Sequence, residues 1–304
     1  MDASLLRGSY PPLVTPFRNG AVDYDAFAAL IEHQIAQGSH GVVVCGTTGE
    51  PTALTYDERA ELMRVAVRTS ARRTAVVAAT GSASHAETVA LTAEAERAGA
   101  DALLIVTPYF VRPPQRGLAE YYIDLAGRTR LPVLIYHIPG RTGVTLELST
   151  VERIVDAAPG VVGMKHASND LAFATQLLAR FGPEFRLFAG LEELSFPMLA
   201  IGAGGVMNAV ANIAPRQVAA LCDTVARGDL VGARRLHAQL DELNQSVFFD
   251  TNPIPIKYMM KRLGLLASNE HRLPMVPATA DLEHRLDAVL DRAGLTPASV
   301  RTSG

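Results

Sequence analysis

Leu131-Pro-Val-Leu-Ile-Tyr-His-Ile-Pro-Gly-Arg141 and, further along, Val161-Val-Gly-Met-Lys165 decide the fold. Each stretch holds a short, nearly continuous apolar run, Val133–Tyr136 and Val161–Lys165, of the kind expected for a parallel strand covered on both faces. A helical pattern lies between them, so the unit reads strand–helix–strand.

The alternation extends in both directions. Val42–Cys45, Ala75–Ala79 and Leu103–Thr107 read as earlier strands, with a first strand near Leu13–Thr15, and Arg186–Ala189 and Gly205–Asn208 read as the last two. Thr55-Tyr-Asp-Glu58 and Ser84-His-Ala-Glu87 have capping-box spacing, in which each end satisfies a free backbone N–H of the other. After the second box, Ala86, Val89, Ala90 and Ala93 mark one buried helical face. Gly38, Gly99 and Gly127 follow helical stretches where a left-handed cap is wanted. Eight strand-like runs, each followed by a helix, predict an α/β protein, a (β/α)8 TIM barrel over residues 1–228. The competing layout is an open doubly wound sheet, but no G-x-G-x-x-G follows the first strand. From residue 229 the strands stop. Asp229–Val247, Pro253–Leu263 and Ala280–Ala293 read as helices of a C-terminal appendage, 229–304, with an unstructured Thr302-Ser-Gly tail.

Net charge is −3 with 19% charged residues, which gives no electrostatic reason to expect nucleic acid or an anionic membrane as partner. No apolar run is long enough to span a bilayer. The start, MDASLLRGSYPP, lacks the basic and apolar regions of a signal peptide. Cys45 and Cys222 stand far apart without metal-like spacing, and reduced thiols in a cytoplasmic protein are the expectation. Among 28 basic residues only Lys165, Lys257 and Lys261 are lysines. A genome biased toward arginine codons explains the scarcity. Arginine, however, stays protonated and cannot act as an amine nucleophile, so the remaining lysines draw notice.

Barrel enzymes carry their chemistry at the C-terminal ends of the strands. Here those ends hold Thr47 and Thr48, Tyr109 and Phe110, Tyr136, Lys165, Gly190 and Val206. Lys165 closes an apolar strand and is either a snorkelling rim residue or a desolvated amine; burial disfavours an ammonium ion and suits a Schiff-base nucleophile. Tyr136, at the end of the neighbouring strand, is either a packed ring or an acid–base group within reach of a carbinolamine on Lys165. Gly46-Thr-Thr-Gly-Glu50 is a tight turn whose amides and hydroxyls suit a carboxylate or phosphate. Arg141 is either a solvated loop residue or a two-pronged carboxylate clamp.

Gly46–Glu50, Thr107-Pro-Tyr-Phe-Val-Arg-Pro-Pro-Gln115, Tyr136-His-Ile-Pro-Gly-Arg-Thr-Gly143, Gly163-Met-Lys165, Gly204-Gly-Val-Met-Asn208 and Asn252-Pro-Ile-Pro-Ile-Lys257 occur in this order along nearly the whole chain. Together they resemble the dihydrodipicolinate synthase / N-acetylneuraminate lyase family of class I pyruvate aldolases, closest to the synthase branch. The resemblance implies that Lys165 condenses with pyruvate, that Tyr136 and Thr47 relay protons, and that Thr48 holds the pyruvate carboxylate. It further implies that Arg141 binds the carboxylate of aspartate semialdehyde, with Gly190 and Val206 beside the substrate. No metal or organic cofactor and a homotetramer built from tight dimers are implied as well. The alternatives are a sister lyase acting on a sugar-derived 2-oxo acid, a catalytically silent keto-acid-binding paralogue, and a metal-dependent aldolase suggested by two histidines.

Several positions depart from the family pattern. Phe110 stands where synthases carry a second tyrosine that completes a proton relay across the dimer interface. His137 and His166 replace an asparagine and an acidic residue, and, on neighbouring strand ends, they are expected to face each other in a packing role. Ala83 and Arg59 replace an asparagine and a histidine of the lysine feedback site, which predicts an enzyme that lysine does not inhibit.

Overall fold

Eight parallel strands close on themselves: β1 (Gly8–Ser9), β2 (Gly41–Val44), β3 (Ala75–Ala79), β4 (Ala102–Val106), β5 (Val133–His137), β6 (Val161–His166), β7 (Arg186–Ala189) and β8 (Gly205–Val206). The structure is a computed structural model and describes residues 6–297 and 299; the tail Thr302–Gly304 lies outside them. From β2 to β8 each strand hydrogen-bonds to its neighbours in chain order, and β8 pairs with β1. A bridge between Pro12 and Val43 joins β1 to β2, so the barrel is closed.

The first strand differs from the expectation. It lies at Gly8–Ser9 and not near Leu13–Thr15. Pro11 and Pro12 follow it and have no N–H to give to the ladder. Pairing therefore shrinks to β1 and one bridge, and the apolar Leu13 and Val14 pack in the core outside any strand.

Side-chain alternation sorts each strand between two cores. On β5, Val133 and Ile135 face the surrounding helices, whereas Leu134 and Tyr136 join Tyr10, Val77, Leu104 and Phe188 inside the barrel. The helices begin largely where their caps predict. Thr55 and Glu58 form the full reciprocal box at the start of Tyr56–Ser70. At His85–Ala98 only half of the second box forms: Ser84 Oγ accepts from the Glu87 N–H, while the Glu87 carboxylate turns to Ser82 Oγ at 2.7 Å. Gly38 and Gly99 take left-handed φ, but Gly127 does not. It is the last residue of the helix Gln115–Gly127, and Arg128 leaves in right-handed geometry.

Beyond Gly228 the chain is helical: Leu230–Gln239, Asp241–Ser246, Ile254–Arg262 and Ala280–Arg292. The expected single helix Asp229–Val247 is broken at Leu240, and Leu240, Leu243 and Val247 are all buried. This C-terminal part reaches back to the barrel mouth. Lys257, fully buried, donates to Glu50 Oε1 at 2.8 Å, and His271 Nδ1 donates to Glu50 Oε2 at 3.0 Å. The Lys257 ammonium also lies 4.4 Å from the centre of the Phe17 ring. Arg272 donates to the carbonyls of Gly20 and Ala53 and pairs with Glu58.

A buried ion pair gains little over apolar packing, but removing one partner strands the other charge, at a cost of about 3–5 kcal/mol. Lys257→Met is therefore expected to lower the thermal midpoint sharply, and Glu50→Gln combined with Lys257→Met to recover much of the loss. Equal midpoints for Lys257→Met and the unsubstituted protein, measured by calorimetry, would contradict the pairing.

Candidate active site

In-register pairing of β5 with β6 sets Tyr136 beside Lys165. Alternation turns both side chains into the barrel, where each is only 5% exposed. The Lys165 Nζ lies 4.3 Å from the centre of the Tyr136 ring and makes no ion pair among the described residues. Lys257, the other buried lysine, is by contrast tied to a carboxylate.

The Tyr136 hydroxyl is 3.2 Å from Thr47 Oγ1. Thr47 begins a 3-10 turn, Thr47–Gly49, bracketed by Cys45 and Glu50, both at left-handed φ. Burial of the Glu50 carboxylate on Lys257 and His271 fixes the exit of that turn. Thr48 Oγ1 accepts from Asn252 Nδ2 at 3.0 Å. A Cβ at Gly190 would stand 3.0 Å from Lys165 Cε and 2.7 Å from the Ala167 methyl, so a bare glycine makes room for the lysine. Val206 ends β8, fully buried and paired to Ala189.

A cleft of about 460 Å³ opens above this group, and its walls include Thr47, Tyr109, Tyr136, Arg141 and Asn252. Arg141, on the short turn of helix Pro139–Thr142, is exposed and has no acidic partner among the described residues. Lys165, Thr48, Gly190 and Val206 are not part of the walls of the cleft. Phe110 is 90% exposed and is not part of the cleft walls.

The structure adds a carboxyl group that sequence reading passed over. Glu192 is buried just past Gly190, and its Oε1 accepts from the N–H groups of Ala209 at 2.6 Å and Val210 at 3.3 Å. Burial pushes its pKa up to about 7, against the pull of the Ala209 N–H and of the Lys165 charge. Its signal was position: an acidic residue two places after Gly190, at the end of a barrel strand.

His137 and His166 do face each other, Nδ1 to Nδ1 at 3.1 Å, with their rings nearly parallel. As the residues after Tyr136 and Lys165 they point outward, against Phe173. Burial holds His137 down to a pKa of about 3, helped by His166 and opposed by Asp170; burial lowers His166 too.

A model of the dihydrodipicolinate synthetase family matches residues 5–293. Over 294 residues the chain is 44% identical to the 4-hydroxy-tetrahydrodipicolinate synthase of Thermus thermophilus, spanning 96% of this chain and 98% of that protein. The enzyme of the same name from Thermodesulfovibrio yellowstonii is 38% identical over 291 residues, covering 96% and 99%. A crystal structure of dihydrodipicolinate synthase from Aquifex aeolicus superposes with a TM-score of 0.93 at 37% identity, covering 95% of this chain and 98% of that one.

A histidine whose pKa is depressed in the folded state stays neutral while the unfolded chain takes up protons. Stability from such a ring is complete above the ordinary value of about 6.5 and is lost as pH falls toward the folded value. His33 and His237 shift in the same direction as the pair. Stability is therefore expected to decline below about pH 6.5, approaching ~1.4 kcal/mol per pH unit for each ring kept neutral. Denaturant midpoints that stay level between about pH 6.5 and 5 would overturn this.

Proposed function

The chain belongs to the dihydrodipicolinate synthetase family, and from that premise we propose that it condenses pyruvate with L-aspartate 4-semialdehyde through an imine on Lys165. The observation that carries the proposal is the continuous Lys165–Tyr136–Thr47 arrangement at the mouth of the closed barrel.

The Lys165 lone pair attacks the keto carbon of pyruvate. Tyr136, hydrogen-bonded to Thr47, passes a proton to the departing hydroxyl, and water leaves. Thr48 Oγ1 already accepts from Asn252, so its own hydrogen remains for the pyruvate carboxylate. The protonated imine is an electron sink: the pyruvate methyl group loses a proton, and the resulting enamine attacks the aldehyde carbon. The aldehyde oxygen takes up a proton. The amino group of the adduct then attacks the imine carbon, closes the ring and releases Lys165 as the free amine. Arg141, on the cleft wall without an acidic partner, suits a second substrate that carries a carboxylate. That favours aspartate semialdehyde over a neutral polyol end.

Phe110 brings no hydroxyl to the relay, so we assign the outer end of proton transfer to Thr47 and water in the cleft. Its 90% exposed ring, with Val111 at 59%, supports burial against another copy of the chain in the proposed homotetramer. Among the described residues no helix is long and apolar enough to cross a membrane, which fits a proposed cytoplasmic location.

Borohydride reduction in the presence of pyruvate, followed by peptide mapping, is expected to place the adduct on Lys165 and leave the ion-paired Lys257 unmodified. Lys165→Ala should abolish trapping, and Tyr136→Phe should reduce turnover by about 10²–10⁴. Unimpaired turnover in Lys165→Ala would defeat the mechanism, and a preference for 2-keto-3-deoxy sugar acids over aspartate semialdehyde would move the enzyme to the sister branch.

Arg59 bears on regulation. Its guanidinium is buried, lies 3.4 Å from the Glu87 carboxylate and donates to Ala79 O at 3.1 Å. It brings a fixed positive charge to this position and engages the Glu87 carboxylate, which does not suit a cationic ligand such as lysine. Turnover is expected to stay flat across a lysine titration; saturable inhibition would refute that.

A further inference from the structure

His137 and His166 each leave no ring nitrogen unmatched. A backbone N–H can only donate, so the contact from Leu146 N to His137 Nε2, 3.2 Å, requires a bare Nε2. A neutral ring then carries its hydrogen on Nδ1. A carbonyl can only accept, so the 3.1 Å contact between His166 Nε2 and Asp170 O puts the hydrogen of His166 on Nε2 and leaves its Nδ1 bare. The two Nδ1 atoms, 3.1 Å apart, are thus a donor and an acceptor. Two protons satisfy four nitrogens, with one tautomer for each ring. A third proton has no place: it would set N–H against N–H either between the rings or at Leu146.

What the pair holds is specific. His137 and His166 are the last, in-register rung of β5 and β6, directly after Tyr136 and Lys165. His137 anchors Leu146, at the end of the segment that carries Arg141, and His166 anchors the turn that follows Lys165. The backbone ladder continues from the same residues: Ala167 N–H donates to His137 O and Gly190 N–H to His166 O, each at 2.8 Å. Asp170 is the titratable group that faces the rings from the turn before helix Leu171–Phe181, which itself contributes Phe173. Both imidazoles lie outside the walls of the cleft.

Building on the assignment of Lys165 and Tyr136 as the reacting pair, we propose that His137 and His166 form a neutral, proton-ordered clamp that positions these two residues and the Arg141 loop for the reaction. The imidazoles are positioning residues; they exchange no proton with the substrate.

Two variants and one measurement on the unsubstituted enzyme test this. His166→Phe keeps an aromatic ring against Phe173 but removes the acceptor for His137. His166→Asn keeps an acceptor, its Oδ1, near the position of Nδ1. Because misplacement of reacting groups acts on the chemical step, His166→Phe is expected to lower kcat about tenfold to a hundredfold with the KM for pyruvate little changed, and His166→Asn to restore most of that loss. Equal kcat in His166→Phe and the unsubstituted enzyme, or equal losses in both variants, would overturn the clamp. Should His166→Phe fail to fold, nitrogen-15 NMR of the unsubstituted enzyme decides. Opposite tautomers and two uncharged rings at about pH 6 support the clamp, whereas an imidazolium at that pH or a shared tautomer refutes it. Borohydride trapping run in parallel separates the two assignments. No adduct on Lys165 in the unsubstituted enzyme defeats the imine chemistry, while an adduct with undiminished turnover in His166→Phe defeats only the clamp.

Discussion

An amine buried to 5% exposure with an aromatic ring against it, and with no ion pair among the described residues, is the constraint around which the barrel mouth is arranged. The imine chemistry proposed for this amine needs its nitrogen free of an ion-pair partner, and the site gives it an aromatic face instead. Lys257 has the opposite surroundings within the same protein. It is as deeply buried, but Glu50 sits 2.8 Å away and holds its hydrogens. The two lysines do different jobs because of what faces them.

The second lysine still serves the first. Glu50 closes the Thr47–Gly49 turn, and its carboxylate is held from the far end of the chain by Lys257 and His271. Asn252, on the same C-terminal segment, holds Thr48. The barrel supplies the strand ends, but the position of the threonine turn is set by helices that follow the last strand by tens of residues. Thr47 can meet the Tyr136 hydroxyl because the turn is held at both of its ends.

How far the sequence could be read followed from which signals are local. Strands such as Val133–Tyr136 and Val161–Lys165 are covered on both faces, and burial writes itself into them as unbroken apolar runs. The first strand leaves no such trace, because Gly8-Ser-Tyr-Pro-Pro pairs through backbone with few apolar side chains. Lys165, Tyr136, Thr47, Thr48 and Gly190 could be placed at strand ends, and the structure brings Lys165, Tyr136, Thr47 and Gly190 together at the barrel mouth. Glu192 showed only its position after a strand end, and Glu50 only its place in a turn: a carboxylate in a turn looks solvated in sequence, and only the fold shows that both are buried on specific donors. Gly127 misled in the opposite way, since a glycine at a helix end is an opportunity for left-handed geometry and not a requirement for it.

The alternation that aims Tyr136 and Lys165 inward necessarily aims the next residues outward, into the layer between barrel and helices. Whatever occupies positions 137 and 166 is therefore buried, adjacent and in register, and must satisfy its polar atoms there or go without. A charged group at either position would need a counter-charge in that layer; two imidazoles need only each other, one backbone N–H and one carbonyl. The same geometry makes the pair sensitive to protonation, since the arrangement has sites for two protons and no third. The outward rung and the inward rung are thus one mechanical unit, and the order of protons in the first bears on the spacing of reacting groups in the second.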